Sequence, residues 1–313
     1  MTNTLRICAV VVTFNRRAWL LECLDTLLAQ TQALSGIVVV NNASSDDTQI
    51  QLDDYVAAHP EMTWHIAHNT LNTGGAGGFA QGMQTAHEAD YDWVWVMDDD
   101  VLARPEALSG LMAFSDQAQF LHGRRTNPNG SVFFWQNTFL PWIGFSRPYP
   151  DSVFKTADIW FTNCACFEGA LIHRSVFDAI GYADPRYFLA WDDTEFGYRA
   201  SEFFKVAYVN ALTLKRQRGH DNIDLGVRSL FSVSDMYRYF HIRNRFLIIQ
   251  TILKREPRAW ARIGKRIAFH SFTAVLILKE MLRAALFKEW SLGVPSLWRG
   301  LRDGIAGKWG ASF

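Results

Sequence analysis

The amino-acid sequence predicts an α/β fold: a mostly parallel sheet with helices on both faces, followed by a mainly helical C-terminal region. Over the first hundred residues, short runs rich in β-branched side chains alternate with segments of helical periodicity. Those runs are continuously apolar, which is typical of strands buried on both faces of a parallel sheet. From residue 234 the periodicity is helical almost to the end.

The predicted elements follow one another with short polar connections. Strands are predicted over 6–14, 37–40, 62–69 and 91–97, and helices over AWLLECLDTLLAQT, TQIQLDDYVAAH, FAQGMQTAHEA and PEALSGLMAF. Residues 121–167 contain several Pro and Gly punctuators, which indicate loops and short mixed strands. A strand and a short helix ended by Gly181 come next, then the helix after Trp191 and the strand VAYVNALTL. The later helical pattern is predicted to break at Pro257 and at GVP (293–295).

Composition excludes several classes of protein. The chain has 313 residues, 49% of them hydrophobic, which excludes a disordered or collagen-like protein. Four cysteines without a CxxC pair are too few for a disulfide scaffold and do not resemble a zinc ribbon. The N-terminal sequence has no secretion-signal pattern, so we expect a reducing cytoplasmic setting.

Charge divides the chain into two parts. Residues 1–214 carry 12 basic and 24 acidic side chains, whereas residues 215–313 carry 19 basic and 7 acidic ones. We therefore expect an acidic α/β domain over 1–225 and a basic helical region over 226–313. The basic part is either an ordinary solvated helical face or a surface that meets an anionic partner.

An acidic triplet, Asp98-Asp99-Asp100, follows the fourth predicted strand directly. Ligands of open parallel sheets bind beyond the carboxyl ends of the strands. Alternate residues of an extended segment point the same way, so Asp98 and Asp100 are placed to bracket a hard divalent cation such as Mg²⁺ or Mn²⁺. The alternative is an acidic turn that caps the next helix.

A glycine-rich turn, TGGAGG (73–78), precedes the third helix. Backbone N–H groups at Gly74 and Gly75 are favourable partners for phosphate or sugar oxygens, although a tight strand-to-helix turn explains the glycines equally well. The turn lacks the Gly-Lys-Ser/Thr of a P-loop and follows the third strand, which excludes the dinucleotide fingerprint. Asn15 and Asn42 follow the first two strands at the same predicted edge.

A second acidic cluster, Asp192-Asp193, stands at a predicted helix N-terminus, where the helix dipole favours ionised carboxylates. An ionised Asp within hydrogen-bond reach is a competent base for a hydroxyl group. Helix capping by Asp192 with Glu195 is the alternative. His220 follows a strand and is either a surface imidazole or a ligand for metal or phosphate.

Five motifs occur in an order that resembles glycosyltransferase family 2, with its GT-A fold. They are AVVVTFNR, VVVNNASSDDT, LNTGGAGGF, WVMDDDV and FLAWDDTEFGYRA, and the resemblance covers roughly 1–220. TGGAGGF, WDDTEFGYRA, YRYFHIRNR and RDGIAGKWG look most like bacterial galactofuranosyltransferases, with rhamnosyltransferases next. The resemblance implies an inverting, metal-dependent transfer of a sugar from a nucleotide to a hydroxyl group.

The resemblance also implies roles for individual residues. Asp98 and Asp100 would bind Mn²⁺ or Mg²⁺ with His220, and Asp99 would lie near the donor sugar. Asp193 would be the base, with Asp192 beside it. Residues that would line the nucleotide are Phe14, Asn15, Asn42, Gly74 and Gly75, and those that would border the acceptor are Trp160 and Phe161. Many family members carry Asp where Asn42 stands, which affects the expected nucleobase preference.

The resulting expectation is transfer of galactofuranose from UDP-galactofuranose to a glycan acceptor, lipid-linked in the resembled subgroup, in bacterial cell-surface glycan synthesis. TDP-rhamnose is the second donor. A sugar nucleotidyltransferase is the competing enzyme class, but VVVTFNRRAW lacks the basic glycine-rich loop typical of one. A non-catalytic carbohydrate-binding protein is disfavoured by the intact acidic motifs. Nucleic-acid binding is disfavoured because the aromatic residues lie in apolar runs.

The basic C-terminal region interleaves Arg and Lys with Trp, Phe and Ile over 255–290. Its apolar core, AFHSFTAVLIL, is too short to span a bilayer. Such a helix is suited to an anionic membrane interface, which predicts a peripheral protein at the inner face of the cytoplasmic membrane. The alternative is a helical domain packed on the sheet, with its basic side solvated or at a homo-oligomer interface.

Overall fold

The first part of the molecule is an alternating α/β unit. A computed structural model describes residues 5–133, 136–218, 222–224, 229–231 and 233–311, with the two three-residue stretches described by backbone alone. The elements are β1 (Ile7–Thr13), α1 (Arg17–Leu28), β2 (Gly36–Asn41), α2 (Thr48–Ala58), β3 (Trp64–His68), α3 (Gly74–Glu88) and β4 (Trp93–Asp98). All four strands and the first three of the four helices predicted from periodicity are present here, and the fourth helix follows in the middle of the chain.

The middle of the chain adds shorter elements. They are β5 (Val101–Ala103), α4 (Ala107–Met112), β6 (Phe120–Thr126), β7 (Val132–Phe133), β8 (Asn137–Leu140), β9 (Phe145–Pro148), β10 (Ile159–Thr162), β11 (Ala170–His173), α5 (Arg174–Ile180), α6 (Asp192–Ala200) and β12 (Val206–Arg216). Short 3₁₀ helices cover Asp151–Lys155 and Pro185–Tyr187. The region expected to hold loops and short strands therefore contains five of them, β6 to β10.

The C-terminal region is helical after a small β-hairpin. It comprises β13 (Asn222–Asp224), β14 (Ser229–Phe231), α7 (Asp235–Arg243), α8 (Arg245–Lys254), α9 (Ala259–Leu286) and α10 (Trp290–Ile305). The predicted break at Pro257 is confirmed between α8 and α9. The break predicted at GVP is wrong, because α10 continues through Pro295. Pro295 lies on the exposed side of the helix, where water can reach the carbonyl that loses its N–H partner.

The main sheet is mixed. Its strand order is β10-β12-β6-β11-β4-β1-β2-β3, with β5 paired to β12 and β7 to β6. β1 to β4 are parallel to one another, as the continuous apolar runs predicted, whereas β11 runs antiparallel to both of its neighbours, β4 and β6. β6 and β12 are parallel again, so the carboxyl ends of β1, β2, β4 and β12 meet at one edge. This arrangement confirms the predicted α/β class with a helical C-terminal region.

Two apolar layers cover the sheet, one on each face. α3 lies directly on β1, because a Cβ atom on Gly82 would come within 2.3 Å of the Val10 side chain. All four cysteines are buried and unpaired. α7 packs against α10, and α8 lies against α9. Among the described residues, every helix is too short or too polar to cross a lipid bilayer.

Candidate active site

The acidic triplet stands where β4 ends, at the shared carboxyl edge of the sheet. Asp98 is the last residue of β4 and lies opposite Val12 of β1. Gln217, just after β12, donates its backbone N–H to the carbonyl of Asp100 at 2.9 Å. The triplet is therefore bordered by the ends of β1 and β12, which brings the start and the end of the sheet domain to one place.

Asp99 is the buried member of the triplet. Its carboxylate accepts hydrogen bonds from Thr13 Oγ1 at 2.6 Å and from Arg16 Nη1 at 3.0 Å. The same Arg16 nitrogen lies 3.1 Å from Asp100 Oδ2. Burial raises the pKa of Asp99, while Arg16 and Thr13 act in the opposite direction. The guanidinium therefore ties the loop after β1 to the triplet.

Asp98 carries the strongest electrostatic perturbation of the three. Burial, followed by the negative charges of Asp100 and Glu168, raises its pKa well above the ordinary value. Among the described residues, no side chain donates a hydrogen bond to its carboxylate. A carboxyl group in this setting ionises readily only when a positive charge is supplied next to it.

Glu168, just before β11, belongs to the same rim. Arg125 Nη1 lies 3.1 Å from Glu168 Oε2, and Arg216 Nε lies 3.0 Å from Glu168 Oε1. Both guanidinium groups lie near the ring of Phe133, at 5.4 and 4.2 Å from its centroid. Removing one partner of a buried ion pair leaves an uncompensated charge and destabilises the folded protein.

Two asparagines organise the loops that the sequence assigned to the nucleotide. Asn15 has a φ of 55°, and its Oδ1 accepts a hydrogen bond from Ser45 N at 2.7 Å. Asn42 is buried; its Nδ2 donates to the carbonyl of Gly74 at 2.9 Å, and its Oδ1 accepts from Thr73 N at 3.0 Å. Asn42 thus joins the end of β2 to the glycine turn. Phe14, between these loops, is 43% exposed.

The glycine turn is shaped for close packing on one side and is open on the other. Gly74 has a φ of +73°, and a Cβ there would meet the carbonyl oxygen of Phe188 at 2.1 Å. A side chain is therefore excluded at this position on two counts. Around Gly75 no atom lies within 4 Å of the added Cβ, which leaves its backbone accessible.

The second acidic cluster begins α6. Asp192 is buried, and burial followed by the charge of Asp193 raises its pKa to about 8. Asp193 is only partly buried, and burial raises its pKa to about 6. Asp193 Oδ1 accepts hydrogen bonds from Thr194 N at 2.6 Å and from Thr194 Oγ1 at 3.2 Å. Among the described residues, no donor contacts Asp193 Oδ2.

The two acidic clusters are connected through one ion pair. Arg125, which pairs with Glu168, also acts on Asp193 and opposes the rise of its pKa. Glu168 in turn acts on Asp98. The glycine turn joins the same area, because Ala76 N donates to the carbonyl of Phe188, four residues before Asp192, at 3.1 Å. Both predicted carboxylate motifs are thus influenced by the Arg125–Glu168 ion pair, and the glycine turn contacts the segment before Asp192.

Trp160 and Phe161 lie on β10, the edge strand beside β12. Trp160 packs against Tyr149 with ring centroids 5.0 Å apart, and Phe161 is half exposed beneath the ammonium of Lys205. Three residues beyond Phe161, the Cys164 thiol lies 3.8 Å from Thr194 Oγ1. The aromatic pair is thus linked to the Asp193 turn along the chain, without a direct contact to it among the described residues. His220 lies outside the described residues.

Sequence reasoning missed several residues of this site. Arg16 had a signal, because NRR directly follows the first predicted strand. Glu168 and Arg125 had no such signal. Glu168 lies in CACFEGALIH, which is typical of an ordinary strand, and Arg125 is 43 residues away from it in the sequence. Oxygen donors dominate the rim, and Asp98 has no donor from the described residues, which suits a hard cation. Among those residues, however, no three His, Cys, Asp or Glu side chains already surround a common point.

The sequence is similar to those of known glycosyltransferases. The sequence model of the family described as Glycosyl transferase family 2 matches residues 8–181. Galactofuranosyltransferase GlfT1 of Mycolicibacterium smegmatis is 30% identical over 280 residues, which cover 84% of this chain and 90% of that protein.

Solved structures show the same fold at low identity. The structure of S. aureus TarS 1-349 in complex with UDP aligns with a TM-score of 0.57 and 14% identity, over 97% of this chain and 92% of that one. The mannosyltransferase PcManGT from Pyrobaculum calidifontis, in complex with GDP-Man and Mn²⁺, aligns with a TM-score of 0.56 and 14% identity, over 98% and 89%.

The buried carboxyl of Asp192 makes a prediction about stability. Its folded pKa lies above the unfolded value of about 4, so its contribution to stability is complete below that pH and is lost as the pH rises toward 8. The Asp192→Asn variant does not lose this stability, because an asparagine side chain does not titrate. We expect its free energy of unfolding, relative to the native protein, to increase by at least about 1 kcal/mol between pH 5 and pH 8.

Denaturant unfolding at both pH values measures this difference. Asp116→Asn, which removes the same charge from an exposed side chain, is the matched control and should show no such trend. Equal pH trends for the two variants would contradict the assigned burial effect.

Proposed function

The chain belongs to glycosyltransferase family 2, and on that premise we propose that it transfers galactofuranose from UDP-galactofuranose to a hydroxyl group of a glycan acceptor, with inversion at the anomeric carbon. The observation that carries the proposal is geometric: the triplet begins at the end of β4 on the carboxyl edge of the sheet, and the glycine turn is hydrogen-bonded to the segment that leads into Asp193. The 30% identity with a galactofuranosyltransferase over most of both chains supports the choice of sugar.

The donor is proposed to lie across the edge formed by the loops after β1 and β2 and the glycine turn. Phe14 and Asn15 border it there, and the open backbone at Gly75 faces it. Asn42 holds the turn rather than offering a free amide, so we assign it to shaping the nucleotide site. Asp99 accepts hydrogen bonds from Thr13 and Arg16, and we propose that it fixes the positions of Asp98 and Asp100 beside the donor sugar.

A divalent cation, Mn²⁺ or Mg²⁺, is proposed to be held by Asp98 and Asp100 together with the donor diphosphate. Sites of this type usually take one or two carboxylates and complete their coordination with phosphate and water. His220 is three residues beyond Gln217, whose N–H meets Asp100, so the chain length permits it to join them. When bound, the cation neutralises charge that develops on the departing diphosphate.

Asp193 is proposed as the base and Asp192 as its buried neighbour. Burial raises the pKa of both carboxyls, but the hydrogen bonds from Thr194 and the charge of Arg125 favour the ionised form of Asp193. Asp193 also keeps Oδ2 without a donor from the described residues. In the proposed step, Asp193 Oδ2 accepts the proton of the acceptor hydroxyl while that oxygen attacks the anomeric carbon from the face opposite the nucleotide.

The acceptor is proposed to be a lipid-linked glycan, met at the inner face of the cytoplasmic membrane, with Trp160 and Phe161 at its border. α9 supplies the support for the membrane contact. Its outward face carries large apolar side chains at helical spacing along a length of about 42 Å. We call this set the α9 strip: Trp260, Ile263, Ile267, Val275, Leu278, Leu282 and Leu286, between 42% and 70% exposed.

Charge favours an anionic bilayer as the partner of the α9 strip. Exposed Arg262 and Arg266 flank its first half, and Lys288 follows its end. A second copy of the same chain would bring these cations toward each other, whereas anionic headgroups would neutralise them. A contiguous apolar surface of this size is uncommon on a protein without a partner. A homo-oligomer seated on the same face is the alternative that the experiment below separates.

Asp193→Asn tests the assigned base. The variant keeps the side-chain volume and removes the proton acceptor, so we expect transfer to fall by about 10²- to 10⁴-fold. Transfer by the native protein should fall as the pH drops below about 6, because protonation removes the base. Rates of transfer from UDP-galactofuranose measure the effect, and nucleotide binding should persist. Asp54→Asn on the exposed face of α2 is the matched control, and turnover of Asp193→Asn near the control's rate contradicts the assignment.

Donor and metal are tested together by thermal shift. With Mn²⁺ present, UDP-galactofuranose should raise the unfolding temperature more than TDP-rhamnose does, because a bound ligand stabilises by mass action. The double variant Asp98→Asn/Asp100→Asn and the chelated native protein should both lose this increase. A larger shift with TDP-rhamnose identifies a rhamnosyltransferase. A shift that survives chelation contradicts the metal site.

Flotation with liposomes tests the α9 strip. The native protein should float with vesicles that contain phosphatidylglycerol at 0.1 M salt, and 1 M salt should weaken this binding by screening. Ile267→Glu/Leu278→Glu should abolish it, since the charges oppose insertion. Ile50→Glu, on the exposed side of α2, is the matched control. Failure of the native protein to float removes the proposal, and dimerisation lost in the double variant assigns the strip to an oligomer.

A further inference from the structure

The turn that carries the second acidic cluster has a strained backbone. Phe188, Ala190 and Trp191 have φ values of 62°, 66° and 72°, in the left-handed region that non-glycine residues rarely adopt. Three such residues within four positions persist only where the surroundings hold them. Asp192 follows immediately as the first residue of α6, so the shape of this turn determines where the Asp192-Asp193 carboxylates point.

One side chain from the C-terminal region holds most of the turn. Asn244 lies at the junction of α7 and α8 and is completely buried. Its Nδ2 donates to the carbonyls of Tyr187, Leu189 and Ala190 at 2.8, 2.8 and 2.9 Å. An amide group has two hydrogens, so three carbonyls share them. Without Asn244 the part-buried carbonyls of Leu189 and Ala190 would lose this donor, whereas the carbonyl of Tyr187 would keep its hydrogen bond from Arg243.

The two neighbours of Asn244 are equally buried and anchor it from both sides. Arg243 Nη2 donates to the carbonyls of Arg186 and Tyr187 at 2.7 and 2.9 Å. Arg245 Nε donates to Thr273 Oγ1 of α9 at 2.8 Å, and its Nη2 donates to Ile143 O at 2.7 Å. These contacts leave the junction little freedom to move, so Asn244 meets the turn from a fixed position.

Trp191 closes the turn against the same helix. Its Nε1 donates to the carbonyl of His241 at 2.9 Å, and its ring stacks on the His241 ring with centroids 5.0 Å apart. Phe188 stacks on Phe240 at 4.8 Å and accepts the N–H of Ala76 through its carbonyl. The turn is therefore held between α7 and the glycine-rich turn on the donor side.

We propose that Asn244 is a positioning residue for sugar transfer: it holds residues 187–190 in the conformation that aims Asp193 at the acceptor. The proposal rests on the function assigned above to Asp193. The donor loops lie on the far side of the strained turn, so loss of Asn244 affects the base more than the nucleotide. The C-terminal region thereby completes the active site from inside the fold, independently of any membrane contact through α9.

Asn244→Ala separates a positioning role from a purely structural one. We expect kcat to fall at least tenfold while the KM for the nucleotide sugar changes less than threefold. Hydrogen exchange at the amides of Leu189 and Glu195, bonded to Tyr187 O and Trp191 O, should accelerate while that of β1 and β4 stays unchanged. Unchanged kcat per folded molecule overturns the proposal, and so does unchanged exchange in this turn.

Gln30→Ala is the matched control for the loss of a buried side-chain amide. Gln30 Nε2 donates to the carbonyls of Thr26 and Arg104 at 3.0 and 2.8 Å, at the end of α1. The control should lower the unfolding temperature without lowering kcat. If both variants lose kcat in proportion to their loss of folded protein, Asn244 has no specific role. If Asn244→Ala does not fold, Asn244→Ser replaces it, because serine keeps one hydrogen-bond donor. Its kcat per folded molecule is then compared with that of Gln30→Ala.

A rescue variant tests the strain directly. Glycine adopts positive φ without steric cost, so Ala190→Gly should restore at least a third of the kcat lost in Asn244→Ala. Absence of any recovery contradicts the strain argument. Hydrogen exchange requires no sugar donor, so it reports on the turn even if Asp193→Asn keeps full turnover. Full turnover of Asp193→Asn would overturn the assignment of the base, whereas unchanged hydrogen exchange in Asn244→Ala would overturn the positioning role of Asn244.

Discussion

The structure depends on the neutralisation of carboxylates that are crowded at one edge of the sheet. Four acidic side chains and three guanidinium groups lie there: Asp99 and Asp100 pair with Arg16, Glu168 pairs with Arg125 and Arg216, and Asp98 has no ion pair among the described residues. The arginines come from the loop after β1, from β6 and from β12, so charge pairing connects strands across the whole sheet. One carboxylate remains in excess, and Asp98 is the one whose ionisation is most strongly opposed. A bound cation would relieve that opposition.

The C-terminal region has two faces with different physical demands. Its inner face supplies completely buried polar groups, Arg243, Asn244 and Arg245, which satisfy backbone carbonyls of the sheet domain. Its outer face, the α9 strip, leaves large apolar side chains in contact with solvent. Burial of polar groups inside and exposure of apolar groups outside reverse the usual arrangement. Both features are what we expect of a region that, as proposed above, supports the active site on one side and meets a partner on the other.

Hydrophobic periodicity predicted the strands and helices well where the apolar residues in the sequence match the buried positions in the structure. β1 to β4 were recognisable because strands covered on both faces need continuous apolar residues, and the helices between them need one apolar stripe. Between residues 120 and 173 most strands are short and several pairings are antiparallel, so neither the length of a run nor its alternation indicates the partner of a strand. The helix through Pro295 was missed because the rule for proline ignores whether the affected carbonyl is exposed.

Sequence alone placed acidic and glycine-rich motifs at one edge of the sheet, because these motifs follow predicted strands and the ends of parallel strands share one edge. It also determined the family, through the order of those motifs. Tertiary structure decided which side chains neutralise and orient them. Arg16 meets Asp99 across 83 residues, and Asn244 meets Leu189 across 55. Such pairs leave no local signature, since their partners become neighbours only when the sheet closes and the last helices pack against it.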